Sequence, residues 1–185
     1  MSRSKILPSI LLLFISLLGP AADLAGQSLK GMKAYMAGDF ERAIALFKEA
    51  AQRGSNKDRS SNFLWLGMVY NAKKQYPEGV AAFEDALKYA DRSTAGDEAR
   101  ANCLLPLGGL YIAYGRYKEA AASLAEAAQL DERLMAASRS GQGTMPTSLR
   151  APDQSYSLLG EALSMDGSYQ EAINAYDRAI ELNPK

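Results

Sequence analysis

The sequence predicts an all-α fold of successive helical hairpins, and three observations predict it. Apolar residues recur every three or four positions through most of residues 27–185, which places them on one face of a helix. The pattern breaks at Gly38, Lys74, Gly115 and Gly167 and restarts on an aromatic residue: Phe40, Tyr76, Tyr117 and Tyr169. Small residues recur at fixed places in each segment, where two helices must approach closely. These are Gly31, Gly67, Gly108 and Gly160 before the break, and Ala43, Gly79, Ala120 and Ala172 after it.

Residues 1–26 stand apart from this array. Arg3 and Lys5 make a basic start, residues 6–18 are apolar except for Pro8, Ser9 and Ser16, and Gly19-Pro20-Ala21-Ala22 follows. This is the layout of a secretory signal peptide. The apolar run falls short of the roughly 20 residues of a membrane span. Cleavage is expected after Ala22 or near Gly26. Neither site is a clean Ala-x-Ala, so an uncleaved segment anchoring the chain in a membrane through residues 6–18 stays open. Leu24-Ala25-Gly26 looks like the start of a bacterial lipoprotein signal, but Gln27 stands where the lipid-bearing Cys would be. Without residues 1–26 the chain loses Arg3, Lys5 and Asp23, leaving 19 basic against 20 acidic residues, a net charge of −1.

The helical array is expected over residues 27–185, in repeats of about 27–56, 60–91, 97–137 and 153–185. In the first, the helices run from about Gln27 to Ala37 and from Phe40 to Arg53, and Gly54 to Asp58 reads as a solvated loop. In the second they run from about Ser60 to Lys73 and from Tyr76 to Ala90. Pro77 lies in a first turn, where its missing N–H costs little. Gly79 weakens its helix by about 1 kcal/mol relative to Ala.

The third repeat opens with a helix over about Asp97 to Tyr114 that contains Pro106, which removes one hydrogen bond and bends the axis. That bend either absorbs a longer link or shapes a binding surface. Its second helix starts at Tyr117 and continues to Ala137 on Leu130, Leu134 and Met135. Residues 138–152, SRSGQGTMPTSLRAP, are an insertion rich in Gly, Pro, Ser and Thr, read as a flexible solvated loop or a loop that touches a partner. In the fourth repeat Tyr156, Leu159, Gly160 and Leu163 share a face, and Asp166-Gly167-Ser168 turns the chain. Ser168 stands three residues before Glu171, a capping-box spacing. Tyr169, Ala172, Ile173, Tyr176, Ala179 and Ile180 form the second face, and Asn183-Pro184 ends it.

The stretch from Tyr156 to Pro184 closely resembles a tetratricopeptide repeat. The family's aromatic, Leu-Gly, turn Gly, aromatic, small Ala, aromatic, Ala and closing Pro fall on Tyr156, Leu159-Gly160, Gly167, Tyr169, Ala172, Tyr176, Ala179 and Pro184. Leu163 takes the place of a further aromatic. The same frame fits Gly31 to Ala50, Phe63 to Ala86 and Leu104 to Ala127. From Gly38 to Lys74, Gly115 and Gly167 the steps are 36, 41 and 52 residues, longer than the family period of about 34. The resemblance implies a solenoid of about four repeats with a right-handed superhelical sense. It also implies that the first helix of each repeat lines an inner groove that binds peptides.

Composition removes several function classes. The 21 basic and 21 acidic residues balance, which gives no electrostatic footprint for nucleic acid. The chain has no His, the commonest general base and metal ligand, and a single Cys cannot form an intramolecular disulfide or a Cys-based zinc site. Cys103 reads as a small buried apolar residue, or as a reactive thiol or the site of an intermolecular bridge. Gly108-Gly109 lies inside a helix without the Lys-Ser or Lys-Thr of a phosphate loop. The carboxylates of Glu78, Glu84, Asp85, Asp131 and Glu132 are placed on solvent faces. No catalytic residue, cofactor or metal is expected.

The groove that the resemblance implies falls on Met32, Tyr35 and Met36 in repeat one, and on Leu64, Met68 and Asn71 in repeat two. It continues on Asn102, Leu105 and Ile112 in repeat three and on Glu161 and Met165 in repeat four. No Lys or Arg is among them, so the basic clamp that some family members use for a C-terminal carboxylate is not supported. Its Met residues suit a surface that accepts varied partners, or they fill gaps between helices.

The expectation is therefore a non-enzymatic module that binds a protein or peptide partner, exported to the periplasm or secreted. The alternative is a structural subunit anchored at the inner membrane. Repeat arrays usually finish on a polar outer face, whereas the last helix here presents Ile173, Ala179, Ile180 and Leu182. That face is expected to pair with a second copy or with a partner.

Overall fold

The computed structural model describes residues 24–90, 96–140 and 152–184, which form eight α-helices and no strand. They are α1 (24–36), α2 (Phe40–Ala51), α3 (Asn56–Ala72), α4 (Tyr76–Ala90), α5 (Gly96–Ala113), α6 (Tyr117–Arg139), α7 (Pro152–Asp166) and α8 (Tyr169–Leu182). Consecutive helices pair as hairpins, and each hairpin packs on the next through α2 on α3, α4 on α5 and α6 on α7. The first helices also touch one another, α3 against α5 and α5 against α7.

Each hairpin closes around one close approach. A methyl group added at Gly31, Gly67, Gly108 or Gly160 would lie 2.8, 2.6, 2.4 or 2.7 Å from a side-chain carbon of Phe47, Phe83, Leu124 or Tyr176. In every case the partner is sixteen residues further along the chain. Only a residue without a Cβ admits that ring or branched chain, so the glycine sets the distance between the two helices.

Seven residues after each of these glycines the backbone enters the left-handed region, at Gly38 (φ 76°), Lys74 (φ 58°), Gly115 (φ 77°) and Gly167 (φ 86°). All four turns make the same two hydrogen bonds. The left-handed residue donates to the carbonyl three back, as Gly38 N does to Tyr35 O at 3.0 Å, and the next residue donates five back, as Asp39 N does to Ala34 O at 2.9 Å. The pair satisfies carbonyls that a helix end leaves without donors. Lys74 is the non-glycine residue among the four and bears the steric cost of that conformation.

The core lies between hairpins. Ile44, Phe47, Leu66 and Val69 form one cluster between the first and second. Val80, Phe83, Leu107, Leu110, Leu124 and Ala162 form another across the second, third and fourth. A smaller one, Ala101, Leu104, Ala127 and Leu130, sits inside the third hairpin.

Several boundaries differ from the sequence reading. α1 already includes residues 24–26, assigned above to the leading segment, and Leu24 is buried. The stretch from Asn56 to Asp58 is helix rather than loop. Gly54 turns the chain at φ 85°, Ser55 Oγ accepts from Asp58 N at 3.3 Å, and Asp58 Oδ2 accepts from Ser55 N at 3.0 Å, a capping box that starts α3 early. Ser168, by contrast, makes no side-chain cap bond, and its N–H donates to Leu163 O at 2.9 Å. Pro152 is the first residue of α7 rather than part of the insertion, and α6 runs to Arg139. The rest of the insertion, residues 141–151, and the leader over residues 1–23 lie outside the described residues.

Asp131 is also a correction. It is buried, and its Oδ2 accepts from Ser155 Oγ at 2.7 Å, which fastens α6 to α7. Leu130 beside it packs on α5, while Asp131 faces α7, so the next hairpin covers it instead of solvent.

Replacing Lys74 with Gly should stabilise the chain by roughly 1 kcal/mol by relieving the left-handed backbone. Gly108→Ala should destabilise it by roughly 1–3 kcal/mol, because its methyl meets Leu124. Guanidinium unfolding of both variants measures this. Gly109→Ala is the control, where a methyl meets nothing within 4 Å.

Candidate functional site

The first helices carry the candidate face. A helix turns about 100° per residue, so positions one, four and five after the packing glycine, with those three and six before it, share a side roughly perpendicular to the hairpin partner. The structure brings two candidates from different repeats into one cleft. Leu64 of α3 and Asn102 of α5 line a recess of about 240 Å³ together with Ser61, Lys57, Glu98 and the buried Cys103. Pro106 stands four residues after Asn102 and has no N–H to offer its carbonyl, so that backbone acceptor loses its helical donor. The residues around the cleft include an amide, serine hydroxyls, one aliphatic wall and one charge of each sign.

The other candidates divide by burial. Met32 and Tyr35 pack on the cluster between the first two hairpins, and Leu64, Met68, Leu105 and Ile112 pack on the central one. These side chains hold neighbouring first helices together and show only part of their surface. Met36 and Met165 are open, at 76% and 55% exposure, and Glu161 is exposed beside them in sequence frame. Asn71 is half-buried, and its carbonyl accepts from Lys74 N at 2.9 Å, so its backbone serves the turn. Gly109 takes the position held by Met32, Met68 and Glu161 in the other repeats and leaves a gap in the apolar row.

Trp65 was not singled out from the sequence. Its ring lies against Phe47, centroids 5.9 Å apart and 7° from parallel, and edge-on to Tyr35 at 5.9 Å. It ties α1, α2 and α3 together beside the candidate face. The polar joint between α1 and α3, Ser28 Oγ donating to Asn62 Oδ1 at 2.9 Å, was likewise not legible, because Asn62 becomes buried only when α1 docks.

The groups whose titration the fold shifts lie at helix joints. Burial, with Glu84 next to it, raises the Tyr111 hydroxyl above its ordinary range. Burial also raises Tyr156, with the Glu132 charge adding to it. A hydrogen bond from Arg116 lowers the Glu119 carboxyl. Arg178 donates to Glu132 at 2.7 Å and to Glu181 at 2.8 Å, bracing α8 against α6. Lys73 pairs with Glu41 of α2, and Arg100 with Glu126. Among the described residues no three His, Cys, Asp or Glu side chains gather so as to hold a metal ion, and no helix is long and apolar enough to cross a membrane.

The chain matches the tetratricopeptide repeat family over residues 58–133 and again over residues 154–185. No curated protein matches its sequence. Among solved structures it is similar to BtubC (BKLC) from P. vanneervenii, with a TM-score of 0.72 and 18% identity over 88% of this chain. It spans 64% of that protein's length. It is also similar to the MamA RS-1 ArsTM double mutant, with a TM-score of 0.63 and 19% identity over 87% of this chain and 75% of the other. At these identities the likeness is one of fold.

Asp at an exposed candidate should leave the fold intact, and Asp at a packed one should not. Met36→Asp is expected to change the melting midpoint little, whereas Leu105→Asp should cost more than about 2 kcal/mol by burying an unpaired carboxylate. Thermal denaturation followed by circular dichroism compares them. Equal effects would show that the two residues share one environment.

Proposed function

Since this chain belongs to the tetratricopeptide-repeat family, whose two matches together span 108 of its 185 residues, we propose that it is a non-enzymatic scaffold that binds a protein or peptide partner along its first-helix face, in the cell envelope. The fold is generally a protein–protein interaction scaffold, and its stacked repeats create extended binding surfaces. The observation that carries the reading is the alignment of α3, α5 and α7 side by side, which draws Leu64 and Asn102 into one cleft. Apolar contacts drive binding. The candidate residues include no Lys or Arg, and the open Met36 and Met165 offer flexible surface to varied partners.

The envelope assignment rests on the basic start, apolar run and small residues of the first 26 positions. Removal after Ala22 fits the array better than removal near Gly26, because it keeps the buried Leu24. Retention of residues 6–18 would instead make the chain an anchored structural subunit of a membrane-associated complex. N-terminal sequencing of the protein recovered from cells separates the two: a mature end at Asp23 is expected, and an intact Met1 or Ser2 in the membrane fraction favours the anchored form.

Crosslinking with mass spectrometry on the envelope fraction should identify a protein partner whose crosslinks fall on α1, α3, α5 and α7. Its affinity should fall about tenfold for Met36→Asp or Met165→Asp, since burying one such side chain is worth roughly 1.5–3 kcal/mol. It should change little between low and moderate salt. Unchanged affinity in both variants, or collapse with salt, overturns the apolar face.

A further inference from the structure

The strongest unassigned surface is on α8. Tyr169, Ile173, Tyr176 and Ile180 follow one another at steps of four, three and four residues and so form a single stripe. The positions of Ile173 and Tyr176 are largely covered in earlier hairpins. Ile44 and Val80 are 8% and 7% exposed, and Phe47, Phe83 and Leu124 are fully buried. The first helix of the next hairpin covers them: Leu66 and Val69 share a cluster with Ile44 and Phe47, and Leu107 and Leu110 share one with Val80 and Phe83. On α8 nothing among the described residues takes that place. Ile173 is 52% exposed, Ile180 63% and Tyr169 68%, and a shallow cleft lined by Asp153, Ser157, Tyr176, Ile180 and Asn183 opens beside the end of the stripe.

A second copy could cover this stripe in two ways, and the other end of the array decides between them. Head-to-tail stacking would seat α1 of one copy on α8 of another. The α1 positions that match Leu66 and Val69, and Leu107 and Leu110, hold Lys30 and Lys33, both exposed. The stripe itself contains no carboxylate, and Asp153 in the neighbouring cleft already accepts from Asn183 Nδ2 at 2.8 Å, so two ammonium groups seated on Ile and Tyr lose water without gaining a free ion partner. The α1 face thus has the polar character of a terminal cap.

Self-pairing of α8 meets no such obstacle. Tyr169 and Ile180 lie equally far from the middle of the stripe, as do Ile173 and Tyr176. An antiparallel contact about a two-fold axis therefore sets a ring against a branched aliphatic chain at every position of the stripe. It also brings Gln170 opposite Asp177 of the other copy, an amide that can donate to a carboxylate. The four side chains expose roughly 500 Å² per copy, so the contact buries about 1,000 Å², the lower edge of a specific interface.

We propose that the exposed face of α8 is an isologous dimer surface, on which two copies of this chain pair antiparallel through Tyr169, Ile173, Tyr176 and Ile180. The pairing closes after two copies and leaves both first-helix faces open.

Sedimentation velocity on the full chain, across a wide concentration range, should show a monomer–dimer equilibrium that ends at the dimer. Ile173→Asp and Ile180→Lys should each weaken it at least about tenfold, with unchanged thermal melts at concentrations where the parent chain is monomeric, because both side chains are exposed in the monomer. The double variant Tyr169→Cys, Ile180→Cys should crosslink two chains under mild oxidation, and Ile180→Cys alone should not. A strict monomer, a ladder of larger assemblies, a dimer that both substitutions leave intact, or a different protein bound to α8 of a monomeric chain would each overturn the proposal.

Discussion

The approach of a glycine in each first helix to a large side chain in each second helix governs the molecule. Gly31, Gly67, Gly108 and Gly160 admit Phe47, Phe83, Leu124 and Tyr176 to distances that no Cβ would allow. With that contact made, a turn seven residues after the glycine must reverse the chain within two or three residues, and the left-handed residue does so. The ring that fills the glycine's space also forms part of the surface on which the next hairpin rests. Interhelical distance, turn and stacking thus follow from one packing requirement met four times.

Stacking leaves each first helix with two occupied sides. One side meets its hairpin partner and another the preceding repeat, and along the remaining side α3, α5 and α7 touch one another and leave part of their surface open. Polar joints fix these contacts in register: Ser28 to Asn62 between the first two hairpins, and Asp131 to Ser155 between the last two. A buried carboxylate that accepts from the Ser155 hydroxyl helps specify where α7 sits, since shifting the helix would break that bond. The exposed ion pairs around them contribute little apiece.

Much of this was legible in the sequence because its causes are local. A left-handed turn demands Gly or tolerates Lys74 at a cost, and the break in apolar spacing marks the same place. Burial that depends on a neighbouring helix was not legible. Asp131 looks like a surface carboxylate until α7 packs against the far end of α6, and Asn62 looks like a polar surface residue until α1 arrives. The start of α3 was missed because Ser55 and Asp58 form a cap within a stretch whose Gly, Ser, Asn and Asp suggest a loop. Of the candidate face, Leu64 and Asn102 line one cleft. The frame could not tell the open Met36 from Met68, because spacing assigns a side of the helix and not how much of that side a neighbour covers.

The contrast between turns and links bears on how such a chain tolerates change. Within every hairpin the count from glycine to ring is the same, whereas the links between hairpins run from four residues after α2 to twelve after α6. A residue inserted within a hairpin would move the ring off its glycine and rotate everything beyond it by about 100°. A residue inserted in a link is absorbed without such a shift, at a closure entropy that grows only slowly with length. Variation in length among related chains should therefore collect between α2 and α3, α4 and α5, and α6 and α7. The hairpin is then the unit in which this architecture is copied, and the link is where a tag, a recognition sequence or a whole added domain can be accommodated.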